Sequence, residues 1–296
     1  MRYLVAGGAG FIGANLCESL LEQGHEVVAV DNLITGSTQN FAEFGENSRF
    51  SFIEHDVVQP LAIPGDFAGI YHLASPAGPA DFARLSLEIL YVNSVGTQNL
   101  LNLAKETGAM FLMASTSEVY GDPLVHPQPE SYWGNVNPNG TRSAYDESKR
   151  FSETLTMNFA QRYGIEYALV RIFNTYGPKL NAQDGRVVSN FIAQALADKP
   201  ITVYGDGTQT RSFCYVDDLV RGLQLAMEKC DPMPINMGND HELAIGELAK
   251  ILRELCESNS EIVFKELPKD DPKVRRPDLT RARTILNWLP DTPIEG

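Results

Sequence analysis

Tyr3-Leu4-Val5-Ala6-Gly7-Gly8-Ala9-Gly10-Phe11-Ile12-Gly13 is the stretch that decides the fold. A short apolar run suited to a buried strand leads into a glycine turn. The turn opens a segment, Phe11–Gln23, whose apolar spacing is helical. Gly7, Gly10 and Gly13 stand three apart. Glycine permits the tight turn, lets backbone approach a pyrophosphate, and lets helix pack on strand, while the helix N-terminus favours negative charge. A plain structural turn looks the same, so the context has to decide.

Outward from that turn the pattern alternates. Glu26–Val30, Ile70–Leu73, Met110–Ala114 and Tyr167–Ile172 read as buried strands, with the more polar Phe50–Glu54 as a further one. Leu87–Thr107 and Ala144–Tyr163 read as helices. Strands alternating with helices predict an α/β chain, a doubly wound parallel (Rossmann) sheet with right-handed crossovers. After Gly177 the rhythm breaks into shorter helices, Arg186–Ala197, Val216–Met227 and Ala244–Ser258, separated by loops rich in Pro, Gly and Asp. The expectation is a dinucleotide-binding domain over residues 1–177, to which later segments return. Residues 178–296 are expected to form mainly a smaller, mixed C-terminal lobe for substrate. Pro293-Ile294-Glu295-Gly296 reads as the start of another helix, so the natural chain is expected to continue.

The glycine turn gains weight from Asp31, which ends the second strand. A carboxylate there accepts both ribose hydroxyls of NAD and repels the extra phosphate of NADP. Asn32 rather than Arg follows it, again favouring NAD. The cofactor residues expected are therefore Gly7, Gly10, Phe11, Ile12, Gly13, Asp31 and Asn32. Asp56 and Val57 follow the third strand, where Asp56 either meets the adenine amino group or caps the next turn. Leu73 and Ser75 end the fourth strand, beside the ribose and nicotinamide.

Bulk composition removes several partners. With 24 Lys and Arg against 38 Asp and Glu, the net charge is −14, and no basic run offers a nucleic-acid platform. No apolar stretch approaches the ~18 residues of a membrane span. The strand pattern begins at Met1-Arg2-Tyr3-Leu4-Val5 and leaves no room for a signal peptide, which predicts a cytoplasmic address. Cys17, Cys214, Cys230 and Cys256 are scattered without a C-x-x-C pair, so reduced thiols and no metal are expected.

Tyr145-Asp-Glu-Ser-Lys149 places Tyr and Lys one turn apart on one helical face. A phenol near ~10 is a poor base at neutral pH. A nearby ammonium and a nicotinium ring are expected to pull it down. Tyr145 then takes a hydroxyl proton as hydride leaves the same carbon. Ala114-Ser115-Thr116-Ser117-Glu118-Val119-Tyr120-Gly121 follows the fifth strand at the carboxyl edge, where ligands of such sheets bind. Thr116 can hydrogen-bond the reacting hydroxyl or its ketone, and Ser117 and Glu118 come next.

These motifs resemble the extended short-chain dehydrogenase/reductase family, in particular its members acting on nucleotide sugars, and among those the UDP-glucuronate decarboxylases. The likeness runs the length of the chain. It is densest in Tyr71–Pro76, Ala114–Gly121, Gly121–Pro127, Tyr132–Gly134, Asn137-Pro138, Arg171–Gly177, Asp184–Asn190 and Gln209–Phe213. It implies NAD, a UDP-linked sugar, and a homodimer built on the helices Leu87–Thr107 and Ala144–Tyr163. It also implies that Asn174, Arg186, Asn190, Tyr204 and Arg211 line the nucleotide-diphosphate path, with Arg211 and Arg186 meeting phosphate. Arg275, by itself readable as a surface arginine, would enter the sugar site.

Members of this group share oxidation at sugar C4. A 4,6-dehydratase sets Asp beside Glu, whereas this chain has Ser117 before Glu118. In a glucuronate the C4 ketone makes a β-keto acid, which loses CO2. The expected catalytic set is Thr116, Ser117, Glu118, Tyr145, Lys149 and Arg275. One departure stands out: the decarboxylases have lysines in the stretch matching Leu85–Val92, where this chain has Glu88 and Tyr91. That keeps a UDP-hexose 4-epimerase or another 4-keto-sugar enzyme open. A non-catalytic NAD sensor is a third reading, opposed by the intact Thr116, Tyr145 and Lys149.

Overall fold

Six apolar runs become strands: β1 (Arg2–Ala6), β2 (Glu26–Asp31), β3 (Phe50–Glu54), β4 (Gly69–His72), β5 (Met110–Thr116) and β6 (Tyr167–Ile172). The structure is a computed structural model that describes residues 1–182, 184–266 and 274–294. The six strands lie in the order β3-β2-β1-β4-β5-β6, and Ile235–Met237 pairs beyond β6 as a seventh. Every pairing is parallel. The order reverses between β1 and β4, which opens a crevice at the carboxyl ends of the strands. The fold is the doubly wound parallel sheet that the alternation predicts.

Side chains alternate between the faces of the sheet. Tyr3, Val5, Val27, Ala29 and Tyr71 face one core, and Leu4, Ala6, Val28, Val30 and Ile70 face the other. The first core is closed by α1 (Phe11–Glu22) together with two later helices, Val216–Lys229 and Thr280–Leu286. The second core is closed from the other side. Here α2 (Asp81–Arg84) leads into α3 (Ser86–Tyr91), a π-helical turn Val92–Gly96, α4 (Thr97–Thr107) and then α5 (Ser143–Tyr163). Leu100, Leu101 and Ala104 of α4 fill this core, with Leu155 and Phe159 of α5 against it.

The stretch Leu87–Thr107 is thus one helical run with a widened turn, not a regular helix. Polar groups intrude on the ladder there: the Asn93 carbonyl accepts from Thr97 Oγ1 at 3.0 Å and also from Ser152 Oγ. Such insertions are a usual cause of π-bulges.

Beyond Gly177 a smaller core joins α6 (Val187–Leu196) and α8 (Ile245–Leu255) with short strands, while α7 (Val216–Lys229) between them belongs to the first core. Val188, Phe191, Ile201, Val203, Leu248 and Leu252 fill it. Its strand pairs are mixed: Ile262–Lys265 runs parallel to Ile201–Tyr204, and Glu242–Ala244 antiparallel to Thr210–Ser212. Ile235–Met237 and α9 (Thr280–Leu286) carry no sequence signal of their own, being short and defined by what they pack on. Glu295 and Gly296, the end of the helix start expected from sequence, lie outside the described residues. Among the described residues no helix is long and apolar enough to cross a membrane.

Candidate active site

A cleft of about 830 Å³ runs along the carboxyl ends of β1, β4, β5 and β6. Gly7, Gly10, Phe11, Ile12 and Gly13 line one wall. The glycines differ in what requires them. Gly7 has φ +81°, and a Cβ on Gly13 would fall 2.0 Å from the Gly7 carbonyl oxygen, so strand and helix approach too closely for any side chain. A Cβ on Gly10 would meet no protein atom nearer than 3.3 Å, yet Gly10 faces the cleft. What needs Gly10 bare is what enters the cleft. A phosphate against the first turn of α1 fits that cradle.

Farther along, Leu33–Ser37 and Leu73 and Ser75 continue the lining. Asp31, Asn32, Asp56 and Val57 are not among the residues that line it. Burial pushes the Asp31 carboxyl up, opposed by hydrogen bonds donated from the Leu33 and Ala9 amides at 2.8 and 3.0 Å. Asp56 Oδ1 accepts from the Val58 amide at 2.9 Å and its Oδ2 from Asn32 at 3.2 Å. Asp56 thus caps the turn that follows β3. Val57 is buried, and its carbonyl accepts from Asn99 at 2.9 Å.

At the inner end β5 passes into a short 3-10 turn, Ser117–Tyr120, capped by Thr116 Oγ1, which accepts from the Glu118 amide at 3.2 Å. Thr116, Ser117, Glu118, Tyr145 and Lys149 are all buried and all line the cleft. Lys149 Nζ lies 5.9 Å from the Tyr145 ring centre and donates to the Ala114 carbonyl at 2.9 Å.

In the chain alone, burial sets the electrostatics of this pair. Burial pushes the Tyr145 phenol up to about 12, only partly offset by a hydrogen bond with Thr116. Burial also brings the Lys149 ammonium down to about 7, opposed by Glu153. In the chain alone Lys149 is therefore no strong depressant of Tyr145. Desolvation disfavours the charged form of each group and exceeds their mutual effect.

Glu118 joins two arginines at the inner end of the cleft. Its Oε1 meets Arg142 Nη2 at 2.7 Å and Arg275 Nη1 at 2.8 Å. Burial would raise its carboxyl, but Arg275 and Arg142 outweigh burial and hold it below the usual range. Arg275 also donates to Asn174 Oδ1 at 3.4 Å, so it is a buried site residue rather than a surface arginine. From here a second cavity of about 440 Å³ leads toward the smaller lobe. Asn174, Arg186, Asn190, Tyr204 and Arg211 all line it. Arg186 pairs with Asp184 at 3.2 Å, and Arg211 is buried.

Glu88 and Tyr91 point to solvent and line neither cavity. The departure they represent lies outside these pockets, because α3 buries Ile89 instead, with Leu85 buried just ahead of it. Arg142, at the N-cap of α5, and Phe82 of α2 line the second cavity and escaped the sequence reading. Phe82 stacks on Tyr145 with centroids 4.8 Å apart and 17° between planes. The signal for Arg142 was its place one turn ahead of Tyr145; Phe82 gave none. Among the described residues no group of three or more His, Cys, Asp or Glu could hold a metal ion.

Comparison with known proteins matches residues 3–238 to the NAD dependent epimerase/dehydratase family. The chain is 53% identical over 291 residues to UDP-glucuronic acid decarboxylase 5 of Arabidopsis thaliana, covering 98% of this chain and 85% of that one. Among solved structures it resembles UDP-glucose 4-epimerase of Thermotoga maritima with UDP-glucose, at TM-score 0.89 and 31% identity over 100% of this chain and 95% of that one. It also resembles UDP-glucuronic acid 4-epimerase of Bacillus cereus with UDP-glucuronic acid and NAD, at TM-score 0.88 and 29% identity over 100% and 96%. With a glycine turn shaped for phosphate, a Thr116–Tyr145–Lys149 set and this likeness along its length, the chain belongs to the NAD dependent epimerase/dehydratase family, of the extended short-chain dehydrogenase/reductase type.

Proposed function

We propose that the chain converts UDP-glucuronate to UDP-xylose with release of CO2. The observation that carries this reading is Arg275 against Glu118 at the inner end of the cleft that also holds Thr116, Tyr145 and Lys149. NAD, when bound, supplies the hydride acceptor at sugar C4 and the donor that restores it. Gly7, Gly10, Phe11, Ile12 and Gly13 would hold its pyrophosphate, and Asp31 and Asn32 its adenosine ribose, with Asp56 and Val57 toward the adenine. Leu73 and Ser75 flank the nicotinamide end.

Tyr145 takes the C4 hydroxyl proton, with Lys149 tuning it and Thr116 aligning the oxygen. The resulting C4 ketone is β to the carboxylate. The C5–C6 bond breaks, CO2 leaves, and the electron pair passes into an enolate whose oxygen Thr116 and Tyr145 stabilise. Ser117 and Arg275 hold the carboxylate beforehand, and Glu118 positions the water that protonates C5. Tyr145 then returns its proton to O4 as C4 is reduced, which completes the pentose. Asn174, Arg186, Asn190, Tyr204 and Arg211 grip the UDP group, so residues 1–177 chiefly serve cofactor and 178–296 chiefly serve substrate.

The proposal includes a homodimer, supported by Leu87, Leu90, Tyr91 and Val95 on α3 and the π-turn and by Phe151 and Met157 on α5, all exposed. It also includes a cytoplasmic address, supported by four cysteines that are all free. A UDP-hexose 4-epimerase is the second reading, favoured by the likeness to the two epimerase structures. Incubation with NAD and UDP-glucuronate, followed by NMR of the sugar and assay of CO2, separates them. Pentose and CO2 are expected; a C4-inverted sugar with its carboxylate retained would replace the first reading by the second.

A further inference from the structure

We propose that Gln128 is a positioning residue for Arg275: it fixes the backbone on either side of Pro277 and so sets the Arg275 guanidinium in the sugar site. The inference rests on the role given to Arg275 above and extends it to a side chain that lines neither cavity.

One residue takes every backbone donor that residues 276–278 have to give. The Arg276 amide donates to Gln128 Oε1 at 2.9 Å, and the Asp278 amide to the Gln128 carbonyl at 2.9 Å. Pro277 between them has no N–H. The Gln128 amide donates in return to the Arg276 carbonyl at 2.9 Å, which makes a parallel bridge between Gln128 and Pro277. Gln128 Nε2 donates to the Val125 carbonyl at 2.8 Å, which holds the side-chain amide toward Arg276. On the other side of the guanidinium the hold is weaker: Ser212 Oγ donates to the Arg275 carbonyl at 3.4 Å. Gln128 is 1% exposed, so water does not readily replace a bond that its side chain gives up.

The same frame carries Glu118. Asn236, wholly buried, donates from Nδ2 to the Gln128 carbonyl at 2.9 Å and to the Asp278 carbonyl at 3.1 Å. Its Oδ1 accepts from the Tyr120 hydroxyl at 2.7 Å, and Tyr120 ends the 3-10 turn that presents Glu118. Both partners of the Arg275–Glu118 contact therefore hang from one buried network. An arginine side chain is long and rich in rotamers, and its fork meets a carboxylate only when its backbone stands in the right place. Freeing the Arg276 amide lets that backbone drift, and a misplacement of about 1 Å costs on the order of 10²-fold in rate. Removal of the C4 proton falls to Thr116, Tyr145 and Lys149 of β5 and α5, which take no part in these hydrogen bonds. That step should be spared.

The test is a double-mutant cycle of wild type, Gln128→Leu, Arg275→Gln and the double variant. Leucine keeps much of the bulk and removes the acceptor. With NAD and UDP-glucuronate, Gln128→Leu should release CO2 about tenfold or more slowly than wild type, with NADH formation within about threefold. The double variant should match Arg275→Gln alone within about twofold, because Gln128 acts through Arg275. A second comparison needs no substrate. Arg275→Gln should move the acid loss of stability to higher pH, and in the Gln128→Leu background that shift, read from thermal midpoints, should fall below about half. Undiminished CO2 release in Gln128→Leu, losses that multiply in the double variant, or a full acid shift in the Gln128→Leu background overturns the proposal. If Gln128→Leu does not fold, the unbranched Gln128→Met takes its place in both comparisons. Failure of both to fold also overturns it, since the residue then serves the fold at large. Wild type that releases no CO2, with the acid shift still suppressed, overturns the reading of the reaction alone and leaves Gln128 as the residue that sets Arg275.

Discussion

Nη1 of Arg275 lies 2.8 Å from Oε1 of Glu118, joining a segment near the end of the chain to the turn that leaves β5. Both side chains are nearly enclosed, at 10% and 8% exposure, so the pair is weakly screened by solvent. The contact favours the ionised form of Glu118 and brings a cation into the cleft that Thr116 and Tyr145 line. A ligand carboxylate entering here competes with Glu118 for Arg275.

Arg275→Gln should therefore lower CO2 release on the order of 10²-fold, about 2.7 kcal/mol of barrier, while NADH formation on adding UDP-glucuronate persists. The same change shows in acid. A lowered Glu118 pKa contributes stability that is present above the unfolded carboxyl value of ~4.3 and is lost as pH falls through the lower folded value. Without Arg275 the folded value rises, so that contribution shrinks. Thermal midpoints measured across the acid range should show the variant losing stability at higher pH than wild type.

Tyr145→Phe should remove the proton acceptor and little else, since the ring still stacks on Phe82. Turnover should fall by roughly 10²–10⁴-fold. NAD affinity, followed by fluorescence titration, should stay near that of wild type. Normal turnover in this variant would sink the role given to the phenol.

Lys149 carries a sign that stability measurements can read. Its folded pKa, about 7, lies below the ordinary lysine value, so the unfolded chain binds the extra proton above neutrality. Stability from this group therefore rises with pH, by up to about 1.4 kcal/mol per unit, from about 7 toward the ordinary lysine range. Lys149→Met removes that slope. The difference in unfolding free energy between wild type and variant, measured from pH 7 to about 9.5, should move in favour of wild type as pH rises. That range stops short of Tyr145, whose raised pKa acts in the opposite direction at higher pH.

The two glycines should separate folding from cofactor binding. Gly13→Ala puts a methyl 2.0 Å from the Gly7 carbonyl oxygen and should lower the thermal midpoint sharply or prevent folding. Gly10→Ala meets no protein atom nearer than 3.3 Å. It should keep a near-wild-type midpoint and lose NAD affinity by about tenfold or more, measured by calorimetry.

Charges placed on the exposed apolar face should break the assembly. Leu90→Asp combined with Phe151→Asp replaces two exposed apolar side chains of α3 and α5. Light scattering after gel filtration should show a dimer for wild type and a monomer for the double variant at micromolar concentration. A wild-type monomer would remove the dimer from the proposal.

The order of strands and helices through Ile172, the glycine turn and the Tyr145–Lys149 spacing were legible in the sequence alone. Each is dictated within a few residues, by two-fold or 3.6-fold periodicity and by the absence of a side chain where backbone meets backbone. Other features arise only when distant segments meet. Ile235–Met237 is three residues long and becomes a strand because β6 offers an edge. Arg142 and Arg275 read as ordinary arginines until the fold sets both on Glu118. Glu88 and Tyr91 looked like losses from the site until α3 turned them to solvent. The phenol of Tyr145 and the ammonium of Lys149 owe their displaced pKa values to enclosure more than to each other. Burial and long-range charge belong to the folded chain, so tertiary structure decided them.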